Sequence, residues 1–338
     1  MKRPIKSFFK INALIFIIIL FSLSFIFCGN GEEENSGNGN QETEKTDQKE
    51  TDKKDVPIVV ASKIDTEGSL LGQMIVIMLR ENGYKVNDKT SFGNTYIVRE
   101  AIKKRQIDIY PEYTGNGAFF FPERAEPEVW KDFERAYLKV RELDREANDI
   151  RWLKPANANN TWAIATREKL AQNEDIHTME DFANYVNNGG DVKLACSSEF
   201  ASRTDALPAF QKGYGFELEE DQLLILSGGN TAQTEKALAN ATDGVNFAMA
   251  YGTDGNLGAL NLTVLEDTKH IQPIYAPAPI VREEIFKLYP EINKILNPVF
   301  ESLNLETLQD LNGKIAVEGI EPSKVARDYL KKEGFIKN

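Results

Sequence analysis

The chain has 338 residues, a formal net charge of −12 and two each of histidine and cysteine. The acidic balance argues against nucleic acid as a partner, which calls for a basic face. His177 and His270 stand far apart without metal-ligand spacing, so no histidine-based catalytic or metal centre and no cofactor are expected. Cys196, in the apolar run DVKLACSS, reads as a small buried hydrophobe.

Residues 1–28 open with a positive head of Lys2, Arg3, Lys6 and Lys10, continue through the apolar run Ile11–Phe27 and end at Cys28. This order is that of a secretory signal. The terminal cysteine points to a lipoprotein signal peptide, cut before Cys28 and lipidated on its sulfur, with an uncleaved anchor as the alternative. Residues 29–55 carry no large apolar side chain and cannot offset the entropy of ordering, so they are expected to form a disordered tether.

From Val56 onward strands and helices alternate. VPIVVASK predicts a strand. TEGSLLGQMIVIMLRENG predicts a helix with Thr66 as cap, an apolar stripe through Leu70, Leu71, Met74, Met78 and Leu79, and a stop at Gly83. YKVNDKT follows as a strand, TYIVREAIKKRQ as a helix with Ile97, Ala101 and Ile102 inward, and IDIYPEY as a strand ended by Pro111. Helices are expected over Pro127–Glu146. Near Leu153 the character changes, through a loop rich in Pro, Asn and Ala into a new strand. TMEDFANYVNN is a helix with Thr178 as its cap, VKLACSS a strand, EFASRTD a polar loop, and a helix runs through Tyr214. DQLLILS and GVNFAMAYGTDGNL are strands around a helix containing AQTEKALAN. LTVLEDTKHIQPIYAPAPIVREE returns as strands before a helical C-terminal stretch. The alternation predicts an α/β body of two lobes. Residues 56–158 and 264–338 form the first lobe and 159–263 the second, with two crossovers between them.

The predicted strands end in polar or aromatic loops, and in open α/β sheets ligands gather at such ends. These loops carry Tyr113, Trp162, Tyr251, Tyr275, Lys63 and Arg203. No Ser-His-Asp set or acid–base carboxylate pair stands out, and SGGN at 227–230 lacks the lysine of a phosphate-binding loop. Asp205, Asp254 and Asp267 read as turn or cap residues. Aromatic loop tips with nearby asparagines suit a quaternary ammonium, which donates no ordinary hydrogen bond and is held by ring faces. Lys63 and Arg203 are placed to grip a carboxylate at the far end of a zwitterion.

The segments VVASKIDTEGSLLGQMIVIMLRENGYKV, QIDIYPEYTGN, NNTWAIATR, AYGTDGNL and LTVLEDTKHIQPIYAPAPIVRE resemble the substrate-binding lipoproteins of ABC importers for glycine betaine, choline, carnitine and related osmoprotectants. The resemblance spans Ile58 to Ile336. It implies a type II periplasmic-binding-protein-like clamp that performs no chemistry and docks on a membrane permease with its ATPase. It implies an extracytoplasmic, membrane-anchored protein, facing a periplasm or the outside of a single membrane. Carried over by position, an aromatic cage falls on Tyr113, Trp162, Tyr251 and Tyr275, and polar ligand contacts fall on Lys63, Asn116, Asn160 and Arg203. Trp162 stands where most relatives carry tyrosine, and Asn116 where threonine is common. Another small zwitterionic or cationic solute, such as an amino acid, is the alternative ligand.

Overall fold

The computed structural model describes residues 56–227 and 230–337. The expected signal peptide, the tether and Cys28 lie outside the described residues.

Strand β1 (Ile58–Lys63) leads into α1 (Thr66–Glu81), followed by β2 (Val86–Gly93), α2 (Thr95–Lys103), β3 (Ile109–Tyr113), α3 (Asn116–Phe120), α4 (Pro127–Trp130), α5 (Phe133–Asn148) and β4 (Ile150–Trp152). The second lobe holds β5 (Trp162–Arg167), α6 (Glu168–Glu174), α7 (Met179–Asn187), β6 (Leu194–Ser197), α8 (Ser198–Ser202), α9 (Leu207–Tyr214), β7 (Leu223–Leu226), α10 (Thr231–Ala239), β8 (Phe247–Tyr251) and β9 (Leu262–Val264). Then β10 (Pro277–Arg282), α11 (Glu283–Leu288), α12 (Ile292–Glu301), α13 (Leu305–Ala316) and α14 (Pro322–Lys332) complete the first lobe.

One sheet has the order β2-β1-β3-β10-β4 and the other β7-β6-β8-β5-β9. In each, three strands pair in parallel (β2-β1-β3 and β7-β6-β8), and the strand that arrives from the other lobe, β10 or β5, runs antiparallel to both its neighbours. The second crossing lies later than residue 263. Leu265 donates its backbone N–H to Ile164 O, Met179 N–H bonds Glu266 O, and Leu265 and Ile271 pack in the second core. The two crossing segments run side by side, joined by Ala156 N–H to Pro277 O and Asn160 N–H to Tyr275 O.

Helix α1 is buried along almost its whole length, between the first sheet and α12–α14. Its cap is Asp65, whose carboxylate accepts from Gly68 N–H at 2.7 Å, and not Thr66. Val98, Ala101 and Ile102 face inward on α2, whereas Ile97 is exposed. The other face of the first sheet encloses Arg99 and Asp144, which pair bidentately at 2.8 and 2.6 Å, with Trp152 Nε1 donating to the same carboxylate. Thr178 caps α7, as expected, and Asp181 completes a reciprocal capping box with it. In the second lobe one core is aromatic, built on Phe182, Phe200, Phe210 and Phe247. The opposite face is lined by Ala163, Ala165, Ala195, Ala248 and Ala250, small side chains that let α10 lie close on the sheet.

Candidate functional site

The cleft between the lobes is walled by residues from the C-terminal ends of strands and from the crossings. All eight residues singled out from the sequence line it: Tyr113, Trp162, Tyr251, Tyr275, Lys63, Asn116, Asn160 and Arg203. The cleft is narrow, with a cavity of about 30 Å³ between its walls.

Trp162 and Tyr251 are register partners on β5 and β8, so their rings meet at 4.7 Å between centroids with a 41° tilt. Phe200 on α8 backs the indole at 5.3 Å. Tyr113 ends β3 and Tyr275 lies in the returning crossing. Gly115 lets the Tyr275 ring lie against the turn after β3, because a side chain there would meet that ring at 2.8 Å and Ile274 O at 2.9 Å. Asn159 Oδ1 fixes the Tyr275 backbone N–H at 2.8 Å. The four aromatics are therefore held by sheet register and crossing contacts.

The polar residues are more tightly engaged than the sequence suggests. Lys63 Nζ lies 2.7 Å from Glu112 Oε1 and 4.5 Å from the Tyr113 ring centroid. Burial pushes the Glu112 carboxyl up, but Lys63 and the donors Tyr113 N–H and Asn116 Nδ2 outweigh it and hold it below the usual range. Arg203 clamps Asp205 at 2.9 and 2.6 Å, bonds Glu199 Oε1 at 2.9 Å, and donates to Asn116 Oδ1 at 2.8 Å across the cleft. Its guanidinium stacks 4.3 Å over Phe119. Asn160 Nδ2 bonds Glu67 Oε1 at 2.8 Å, and Asn312 Nδ2 bonds Glu67 Oε2 at 2.9 Å. Burial raises the Glu67 carboxyl, and these amides oppose the rise. Asp205 is thus an arginine clamp, and Asp254 positions Tyr251 through its backbone N–H at 2.6 Å. Both do more than cap turns.

Asp65, Glu199, Asn94 and Thr95 also line the cleft and escaped sequence reasoning. Asp65 and Asn94 cap α1 and α2, and short polar residues at helix starts carry no ligand signal of their own in the sequence. EFASRTD is not a loop throughout: Ser197 caps the short helix α8, which presents Glu199 four residues before Arg203. Among the described residues no group of histidine, cysteine or acidic side chains could hold a metal ion.

Residues 56–332 match the model of the substrate-binding domain of ABC-type glycine betaine transport systems. The chain belongs to that family. It is a substrate-binding domain and not an enzyme. Its sequence is 53% identical over 281 residues to the glycine betaine-binding protein YehZ of Escherichia coli, covering 83% of this chain and 92% of that protein. It is 32% identical to a glycine-betaine-binding protein of Pseudomonas aeruginosa, over 82% of this chain and 88% of the relative. The solved apo YehZ from Escherichia coli superposes with a TM-score of 0.60 over 82% of this chain and 99% of that structure. A glycine betaine/carnitine/choline transporter structure, 22% identical, shares the fold with a TM-score of 0.64, over 83% of this chain and 100% of its own.

Proposed function

We propose that this protein captures a quaternary ammonium osmoprotectant, of the glycine betaine, carnitine or choline kind, and delivers it to an ABC permease with its ATPase. The observation that carries the proposal is the set of four aromatic side chains brought to one cleft from both lobes and a crossing. Within it Tyr113, Trp162, Tyr251 and Tyr275 surround the ammonium head, each ring contributing ~0.5–2 kcal/mol once water is excluded. Lys63, Asn116, Asn160 and Arg203 form the polar wall. The similarity to glycine betaine-binding relatives supports the same ligand class. Closure of the lobes is favoured by contacts made from both sides.

The protein works outside the cytoplasm, tethered through residues 29–55 to a lipid on Cys28. Among the described residues no helix is long and apolar enough to cross a membrane; the proposed anchor rests on the order of positive head, apolar run and cysteine in residues 1–28. A Cys28→Ala variant is expected to lose lipid-dependent membrane retention.

Calorimetry with glycine betaine, carnitine and choline tests the ligand class, and no heat with any of them would overturn it. Trp162→Ala removes one ring face and its packing on Tyr251, and is expected to weaken binding about tenfold or more. An unchanged affinity would remove the cage while leaving the transport role standing.

A further inference from the structure

Neither cation of the cleft waits free for the anionic end of a ligand. Lys63 is matched by Glu112, a carboxylate with no solvent exposure. Arg203 has five N–H donors, and four are spent on Asp205 twice, Glu199 and Asn116. Two cations therefore face three carboxylates in direct contact. Glu112 and Asp205 stand behind the wall, where they also bind Tyr110 Oη at 2.8 Å and Tyr275 Oη at 3.2 Å. Glu199 lies in the wall itself, about one-sixth exposed, and holds Arg203 Nη1.

We propose that Glu199 sets the charge preference of the cleft, favouring quaternary ammonium ions of net positive charge, the choline class, over zwitterions that carry a carboxylate. The proposal rests on the reading that this cleft holds a quaternary ammonium head. A zwitterion's carboxylate that seeks Arg203 meets a donor already bound to an acidic side chain. It must displace Glu199 or lie beside it, and like charges brought together in a water-poor cleft repel strongly. A cation without a carboxylate meets no such opposition and gains from the surplus negative charge. Glu199 thus acts against one ligand class and for the other, the twofold way in which specificity is built.

The test compares the ratio of choline to glycine betaine affinity, measured by calorimetry, in the parent and in Glu199→Gln. Glutamine keeps the shape and an acceptor for Arg203 while removing the charge. The ratio is expected to move about tenfold or more toward glycine betaine. Glu146→Gln removes an equal charge from an exposed site on α5 and should leave the ratio in place. Asp65→Asn keeps a capping oxygen for Gly68 and removes the other carboxylate of the wall. It should shift the ratio in the same direction, and it carries the test if Glu199→Gln does not fold. A parent that binds both ligands with a ratio unmoved by Glu199→Gln, or moved equally by Glu146→Gln, overturns this inference alone. A parent that binds neither choline, glycine betaine nor tetramethylammonium overturns the ligand class and this inference with it.

Discussion

Gly255 lies where the loop after β8, from the second lobe, touches α13 of the first. A Cβ at this position would fall 1.9 Å from Gln309 O, 2.5 Å from Gly313 N and 2.8 Å from Gly313 Cα. These are backbone atoms, so no rotamer change relieves the clash, and Gly255→Ala must part the lobes locally by about 1 Å or more. Gly255 is not among the glycines with positive φ, so alanine adds no backbone strain of its own. Two inter-lobe hydrogen bonds flank the contact, Gln309 Nε2 to Gly252 O and Asn312 Nδ2 to Thr253 O, each at 3.0 Å. At ~0.5–1.5 kcal/mol apiece, losing both lowers the closed-to-open ratio by about 5- to 150-fold. If ligand is held in the closed form, its apparent affinity falls by a similar factor although every cleft residue is intact. Calorimetry gives the affinity, and solution X-ray scattering at saturating ligand reports whether the lobes still close. Gly313→Ala places its Cβ no nearer than 3.3 Å to Gly255 O and should have a smaller effect. Wild-type affinity and compaction in Gly255→Ala, or equal damage from Gly313→Ala, would refute the steric reasoning.

Two further predictions concern stability. Glu235 is fully buried, and burial followed by the neighbouring Asp254 charge raises its carboxyl far above the ordinary range. A carboxyl raised in the folded state costs stability increasingly as pH climbs above its unfolded value of ~4.3. Glu235→Gln should therefore raise the melting temperature at pH 8 and lose its advantage toward pH 4, and a pH-independent difference would contradict this. Arg99→Ala leaves Asp144 charged, fully buried and without its bidentate partner. Denaturant unfolding should show a loss of ~3–5 kcal/mol, and a loss below about 1 kcal/mol would mean that the pair is not held as described.

The alternation of elements was legible because it rests on apolar periodicity, which the sheets and helices obey from β1 to α14. The aromatic wall was legible because strand ends are where open sheets present side chains. Other features depend on contacts distant in sequence. Pro111 was expected to end β3, yet the strand runs to Tyr113 because β10 pairs with it and sets Pro279 opposite Pro111. Antiparallel ladders alternate bonded and non-bonded residue pairs, and a facing pair of prolines is tolerated at the latter. Phe119 and Phe120 carry no signal in the sequence, and their use depends on distant partners: Arg203 lies over one and Arg99 over the other, at 4.3 and 4.2 Å. The second crossing lies beyond the residue 263 that the sequence suggests, because segment 264–272 has the composition of either lobe and only its bonds to β5 and to α7 place it with the second. The occupation of Lys63 and Arg203 was hidden for the same reason. Glu112 lies between Tyr110 and Tyr113, and Glu199 and Asp205 flank Arg203, but only the folded chain shows that these carboxylates turn toward the two cations.

Polar side chains of the cleft wall and others behind it join the lobes, and this bears on how a clamp avoids locking shut. Arg203 and Asn116 meet across the cleft at 2.8 Å, and Asn312 bonds both Glu67 and Thr253 O at 2.9 and 3.0 Å. Glu67 is almost fully buried, with its carboxyl raised because burial outweighs its amide donors. A carboxyl in that state gains solvation when the lobes part, which offsets part of the hydrogen bonding lost on opening. The contacts between the lobes thus hold the closed form only weakly by themselves. A ligand that adds cation–ring contacts to both lobes then needs only modest differential affinity to shift the balance. Residues such as Glu67 and Asn312, which do not line the cleft, would accordingly tune ligand affinity through closure, a role separate from the ligand selection proposed for the rings and Glu199.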